Sequence, residues 1–169
     1  MTNAPRIHDQ DEQHYVALHH TVSMAGFSDV IDTGFPELFG WLGQRGIAPA
    51  SAPMIRYDRI DMERTLDIEL AVPISASDAD CLRGDERVTT GSLPAGRYAT
   101  LQHVGPYDGL IASNAALQEW AEQQGLAFDV TPSATGERWG GRVEIYTTNP
   151  SEEPDPAKWE VEISYRLAD

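Results

Sequence analysis

Cysteine, lysine and long apolar runs are what this sequence has least of. Its one cysteine, Cys81, cannot staple the fold, and nothing in its polar surroundings supplies a base to make it a nucleophile. No run of about 18 apolar residues exists, which argues against a membrane-spanning helix. The chain does not open on a basic segment followed by an apolar one, so a cytoplasmic protein is expected. Lys158 is the only lysine, and 12 basic residues stand against 27 acidic ones, a formal net charge of −15. Such a surface repels phosphate backbones, so direct nucleic-acid binding is not expected. The charge reads either as an acidic solvated surface or as a field that favours organic cations. Also missing are a G-x-S-x-G elbow, a phosphate-cradling glycine loop, H-E-x-x-H and paired cysteines. Neither a metal nor a cofactor is expected. His14, His19 and His20 do not change this, because strand alternation points His19 and His20 to opposite faces.

What is present is a repeat. ELFGWLGQRGI at 37–47 echoes ALQEWAEQQGL at 116–126, so that Leu38, Trp41, Gly46 and Ile47 answer Leu117, Trp120, Gly125 and Leu126 at one offset. The two tryptophans, at helical spacing beside leucines, read as core. Around this echo the chain divides into two units, about 12–74 and 87–168, within a single domain over 1–169. In the first, strand 14–21 leads to a helix from Ser28 to about Arg45, then to strands 54–60 and 65–74. Ser28 is placed to cap that helix and Gly46 to end it, while Gly34 and Pro36 threaten to kink it. In the second, an edge strand at 87–93 and a strand at 97–104 turn at Gly105-Pro106 into a helix reaching Gln124. A loop over 129–138, a strand over 139–148, an acidic loop over 149–157 and a strand over 159–167 follow. Residues 1–12, largely polar apart from Ile7, are expected to fray, and 75–86 to be a polar connector. The fold class is therefore α+β: duplicated βαββ units with pseudo-two-fold symmetry, giving a mostly antiparallel curved sheet that carries two main helices.

Glu144 is the residue that stands out. In Arg142-Val143-Glu144-Ile145-Tyr146, Glu144 and Tyr146 fall on one face of a strand and Val143 and Ile145 on the other. If the Val/Ile face packs beneath the helices, Glu144 and Tyr146 look into the opposite space, although the reverse assignment is equally periodic. A carboxylate enclosed among aromatics needs hydrogen bonds or a cation, and aromatic walls attract cations. Tyr57, Tyr107, Trp139, Tyr146, Trp159 and Tyr165 are the aromatics placed to line such a space. Glu69, Glu160 and Glu162 alternate with apolar neighbours and read as an exposed sheet face. His103, before the Gly105-Pro106 corner, reads as structural or as a rim residue. Acid–base work would fall to Glu144, with Tyr146 or Tyr107 as partner.

LPAGRYATLQHVGPYDGL at 93–110, EWAEQQGL at 119–126, RVEIYTTNP at 142–150, WEVEISYRL at 159–167 and LDIELAVPI at 66–74 together resemble the GyrI-like small-molecule-binding superfamily. That domain occurs as the effector-binding half of AraC-type and MerR-type multidrug-responsive regulators, and also alone. The resemblance implies the duplicated fold and a cleft between the halves that takes hydrophobic, often cationic compounds. It places the acidic floor of that cleft on Glu144, its aromatic neighbour on Tyr146, and further contacts approximately on Tyr107 and Tyr57. No helix-turn-helix pattern precedes residue 14 or follows 167, so a stand-alone binding domain is expected. Some stand-alone relatives hydrolyse strained, cyclopropane-bearing electrophiles with a cleft glutamate and an aromatic partner, which makes hydrolysis the alternative. Others bind a protein, the gyrase inhibitor being the named case. The fold also resembles that of the SOUL haem-binding proteins, but no histidine here holds a compelling axial position.

Overall fold

The computed structural model describes residues 4–61 and 63–168. In chain order its elements are β1 (Arg6–Gln10), β2 (Gln13–Val22), α1 (Phe27–Gln44), β3 (Met54–Ile60), β4 (Leu66–Pro73) and a short α2 (Ala76–Cys81). There follow β5 (Val88–Leu93), β6 (Gly96–Val104), α3 (Leu110–Gln123), β7 (Val130–Ser133), β8 (Gly136–Trp139), β9 (Arg142–Tyr146) and β10 (Glu160–Arg166). All strand pairs are antiparallel, in the order β1-β6-β10-β9-β3-β4-β2-β5, with β8 joined to β3 and β7 to β8. This is the α+β architecture expected from the sequence. Among the described residues no helix is long and apolar enough to cross a membrane.

Read from either end, the strand order is the same. An edge strand comes first, then a strand that leads into a main helix, then the second and first strands of a hairpin. The registers repeat too: Ile55 lies opposite Leu70 as Glu144 lies opposite Ile163, and Tyr57 opposite Ile68 as Tyr146 opposite Val161. The helix ends match closely. Gly46 and Gly125 have φ of 68° and 71°, and the residue after each donates a backbone hydrogen bond to the carbonyl five positions back. These equivalences are consistent with a duplication.

The middle of the sheet is where the two units meet, through β3 and β9, with Ile55 directly opposite Glu144. Adjacent strands lie about 4.8 Å apart, so β5 and β6, six places apart in the order, would be about 29 Å apart in a flat sheet. Only Pro94 and Ala95 link them, and only Asp11 and Glu12 link β1 to β2. Two residues span about 10 Å at most with their flanking bonds, so the sheet must curl until its ends approach. The curl encloses a second core of Tyr15, Ala17, Met54, Leu93, Tyr98 and Val143. On the other face α1 and α3 bury Leu38, Leu42 and Leu117 against Leu18, Leu70, Leu101 and Ile163. Each such leucine contributes about 1.5–3 kcal/mol of burial.

Several local expectations give way to pairing. Residues 6–10, expected to fray, form β1 because β6 offers them an open edge; residues 1–3 lie outside the described residues. The connector 75–86 contains α2, capped by the Ser75 hydroxyl on the Asp78 N–H at 3.1 Å. Ser28 does not cap the first helix. Ser23 caps a preceding turn of 3-10 helix, and α1 starts at Phe27 with Gly26 before it. Gly34 and Pro36 leave α1 unbroken, and Gly34 lets it approach the Leu70 side chain where any Cβ would collide. The loop expected at 129–138 is the β7–β8 hairpin. The strand expected over 139–148 is split at Gly140 and Gly141, because β8 and β9 each pair with a different stretch of β3. The turn expected near 61–64 includes residue 62, which lies outside the described residues.

Candidate functional site

Alternation along β9 puts Arg142, Glu144 and Tyr146 on one face and Val143 and Ile145 on the other. Val143 and Ile145 pack into the enclosed core, so it is Glu144 and Tyr146 that share the helix side. Of the two assignments that alternation allows, this is the one that puts Glu144 and Tyr146 beneath the helices. The second core was the missing fact: the curled sheet supplies an apolar space on the side away from α1 and α3. Glu69, Glu160 and Glu162 fall on that other face, away from Glu144, and Glu69 accepts from the Tyr15 hydroxyl at 2.9 Å.

Glu144 is 5% exposed, between Ile55 and Ile163. Its Oε1 accepts the Tyr57 hydroxyl at 2.5 Å and the Tyr146 hydroxyl at 3.0 Å. Its Oε2 accepts Nδ2 of Asn114, on α3, at 2.9 Å. The same Nδ2 donates to the Leu110 carbonyl at 2.8 Å, while Asn114 Oδ1 accepts the Tyr165 hydroxyl at 2.5 Å. Gln118 Nε2 then donates to the Tyr165 oxygen at 3.1 Å, closing a chain from helix to sheet. Every donor to Glu144 among the described residues is neutral. Among the described residues no arginine, lysine or histidine forms an ion pair with it. A carboxylate offers about four acceptor positions, and three are used.

Burial pushes the Tyr57 and Tyr146 hydroxyls well above the usual tyrosine range, and the Glu144 charge pushes them further. Both therefore hold their protons at neutral pH and serve as donors. Tyr165 is raised by burial as well, against the lowering effect of Arg142.

Aromatic rings flank the carboxylate on both sides. On one, Tyr107 meets Tyr146 edge-on at 5.5 Å between centroids and lies against Trp159 at 4.7 Å. On the other, Trp139 and Tyr165 meet edge-on at 5.3 Å, with Phe128 behind both. Phe27, at the start of α1, stacks on Tyr57 at 6.2 Å. All seven residues singled out from the sequence (Tyr57, Tyr107, Trp139, Glu144, Tyr146, Trp159 and Tyr165) are thus brought into one neighbourhood. His103 has a positioning geometry. Its Nε2 lies 2.9 Å from the Pro106 carbonyl and must donate to it, so Nδ1 accepts the Ser113 hydroxyl at 2.7 Å. The ring thereby fixes the corner that delivers Tyr107.

Sequence reasoning missed Asn114, Gln118, Phe27, Phe128 and Arg142. Asn114 left a signal, since it interrupts the apolar stripe of Leu110, Leu117 and Ala121. So did Arg142, two residues before Glu144 and hence on its face. Phe27 and Phe128 left none, because both arrive through loops and helix ends. Two surface pockets lie elsewhere, one beside Arg6, Thr100 and Glu162, the other beside Arg59 and Thr135. Neither is lined by the aromatic cluster.

The same fold recurs in solved structures. EcmrR in its DNA complex superposes with a TM-score of 0.76 at 19% identity over 98% of this chain, which spans 57% of that one. The EcmrR C-terminal domain alone gives 0.71 at 16% identity and 98% coverage of both chains. SAV2435 bound to tetraphenylphosphonium gives 0.62 at 10% identity, covering 98% of this chain and 94% of that one. A protein from Listeria innocua described as a hydrolase gives 0.61 at 13%, covering 97% and 91%. No curated protein gives a significant sequence match. Residues 3–168 match the family described as GyrI-like small molecule binding domain, and the chain belongs to that family.

Proposed function

We propose that this chain binds amphipathic, cationic small molecules over β9, with Glu144 as the compensating charge and the flanking aromatics as walls. One observation carries the reading: a carboxylate 5% exposed, hydrogen-bonded among the described residues by neutral donors alone and flanked by aromatic side chains. A buried charge without a counter-ion attracts one, and ring faces add cation–π attraction of about 0.5–2 kcal/mol. Binding involves no covalent step. SAV2435, of the same fold, was captured with a lipophilic cation, which supports the ligand class. The acidic composition supports a cationic ligand too, and gives no support to direct contact with nucleic acid. The test is calorimetric titration of tetraphenylphosphonium into the protein and into Glu144→Gln, which keeps the shape and removes the charge. Affinity is expected to fall about tenfold or more; equal affinity would end the role assigned to Glu144.

The convergence of two tyrosine hydroxyls on one carboxylate oxygen favours hydrolysis of strained electrophiles as a second reading. Glu144 would position water through its fourth acceptor position, and Tyr57 or Tyr146 would donate to the departing group. Turnover of a cyclopropane-bearing electrophile, followed by product mass, separates this from binding alone. Product formation that persists unchanged in Glu144→Gln would remove Glu144 from that chemistry.

A further inference from the structure

Arg142 shares the face of Glu144, about 6.7 Å along the strand, yet does not pair with it. Its guanidinium instead lies over three rings, 4.5 Å from the Tyr165 centroid, 4.6 Å from Trp139 and 5.7 Å from Tyr57. Its Nε is buried without a hydrogen-bond partner among the described residues. A guanidinium with a carboxylate two positions away would ordinarily take it in a charged hydrogen bond. Here the tyrosines and Asn114 fill three of the four acceptor positions of Glu144, and the guanidinium lies on the aromatic faces instead. The side chain is only half-buried, so its long stem has a route to solvent.

We infer that Arg142 is a resident cation occupying one aromatic wall of the ligand site, and that a lipophilic cation must displace it to bind. The inference rests on the cation-binding reading above and refines it. Among the described residues no cation lies over the wall of Tyr107, Tyr146 and Trp159, whereas that of Trp139 and Tyr165 is taken. An incoming cation at Glu144 also meets the like charge of Arg142, two residues away on the same face of β9, which penalises compact monocations until the guanidinium leaves. Arg142 thereby sets the threshold of the site, and only ligands with enough aromatic surface to replace it on Trp139 and Tyr165 gain entry.

The experiment measures tetraphenylphosphonium affinity in the intact protein and in Arg142→Met, Arg142→Gln and Glu144→Gln, with thermal unfolding as the check on folding. Arg142→Met and Arg142→Gln are expected to bind about tenfold more tightly than wild type, and Glu144→Gln more weakly. An independent readout is phenylglyoxal labelling of Arg142 in the wild-type protein, followed by peptide mass. Labelling should rise when tetraphenylphosphonium is added. If both Arg142 variants bind as wild type does or more weakly, or if labelling falls, the inference is overturned. If Glu144→Gln alone is then still weakened, the charge reading survives it. If Glu144→Gln binds as well as wild type, the charge reading fails and takes the inference with it. Should either Arg142 variant unfold, the other variant and the labelling decide.

Discussion

The two units share a framework and differ in what they place on it. Matching registers put Ile55 where the other unit has Glu144, Val72 where it has Tyr165, and Leu66 where it has Trp159. The helix echo likewise sets Phe35 against Asn114. Of the acid and its donors, only Tyr57 comes from the first unit, and it answers Tyr146 from the equivalent position. One unit thus supplies a dry scaffold, and the other a polar network on the same scaffold. The lesson is that near-symmetric packing can carry a one-sided site, because a single buried carboxylate on the line where β3 meets β9 is reached by tyrosines from both sides. A second one there would not be tolerated.

That comparison can be broken most forcefully at Ile55. Ile55→Glu sets a second buried carboxylate beside Glu144 with no donors of its own, and a loss of about 3–5 kcal/mol in urea unfolding is expected. The exchange Ile55→Glu with Glu144→Ile should regain part of that loss, since Tyr57 and Tyr146 trade places about the same line. No recovery would mean that Asn114, not the tyrosine pair, holds the carboxylate. A smaller effect is expected from the tyrosines themselves. Tyr57→Phe and Tyr146→Phe each remove one bond to Oε1, about 2 kcal/mol, with Tyr57→Phe the costlier because its contact is 2.5 Å against 3.0 Å. A double-mutant cycle with Glu144→Gln checks that the cost runs through the carboxylate. Smallest of all should be Gly46→Ala and Gly125→Ala. Both positions have positive φ and open space around an added Cβ, so each should cost about 1 kcal/mol, equal within error, by thermal unfolding. Unequal costs would show that the helix ends are less alike than their geometry.

Much of the framework was legible because local rules and tertiary pairing agree there. The helices ended at the glycines that read as stops, and Leu66, Ile68, Leu70 and Val72 share the helix side as their alternation indicated. What escaped depended on partners distant in sequence. β1 has only Ile7 to announce it and exists because β6 offers an edge. The β7–β8 hairpin is polar and exposed apart from Val130 and Trp139, and is held by β3. The side on which Glu144 lies was undecidable from alternation alone, because it turns on a second core that only the curled sheet creates. The aromatic members of the site could be singled out because their types suit an enclosed charge. Asn114 and Arg142 were harder to find, since a helix-face amide and a strand arginine usually face solvent.

The short links at Asp11-Glu12 and Pro94-Ala95 have a mechanical consequence. β5 leaves the second unit to pair with the first, and β1, just before the first unit, pairs with the second, so the units are clasped and resist swinging apart like jaws. Hinge opening, a common way to admit a guest between two lobes, is opposed by this wiring. Space above β9 has to come from rotating side chains and from the short turns that lead into α1 and α3, while the sheet stays still. The protein is then a fixed frame with a rearrangeable lining, and the range of shapes it accepts is set by rotamers.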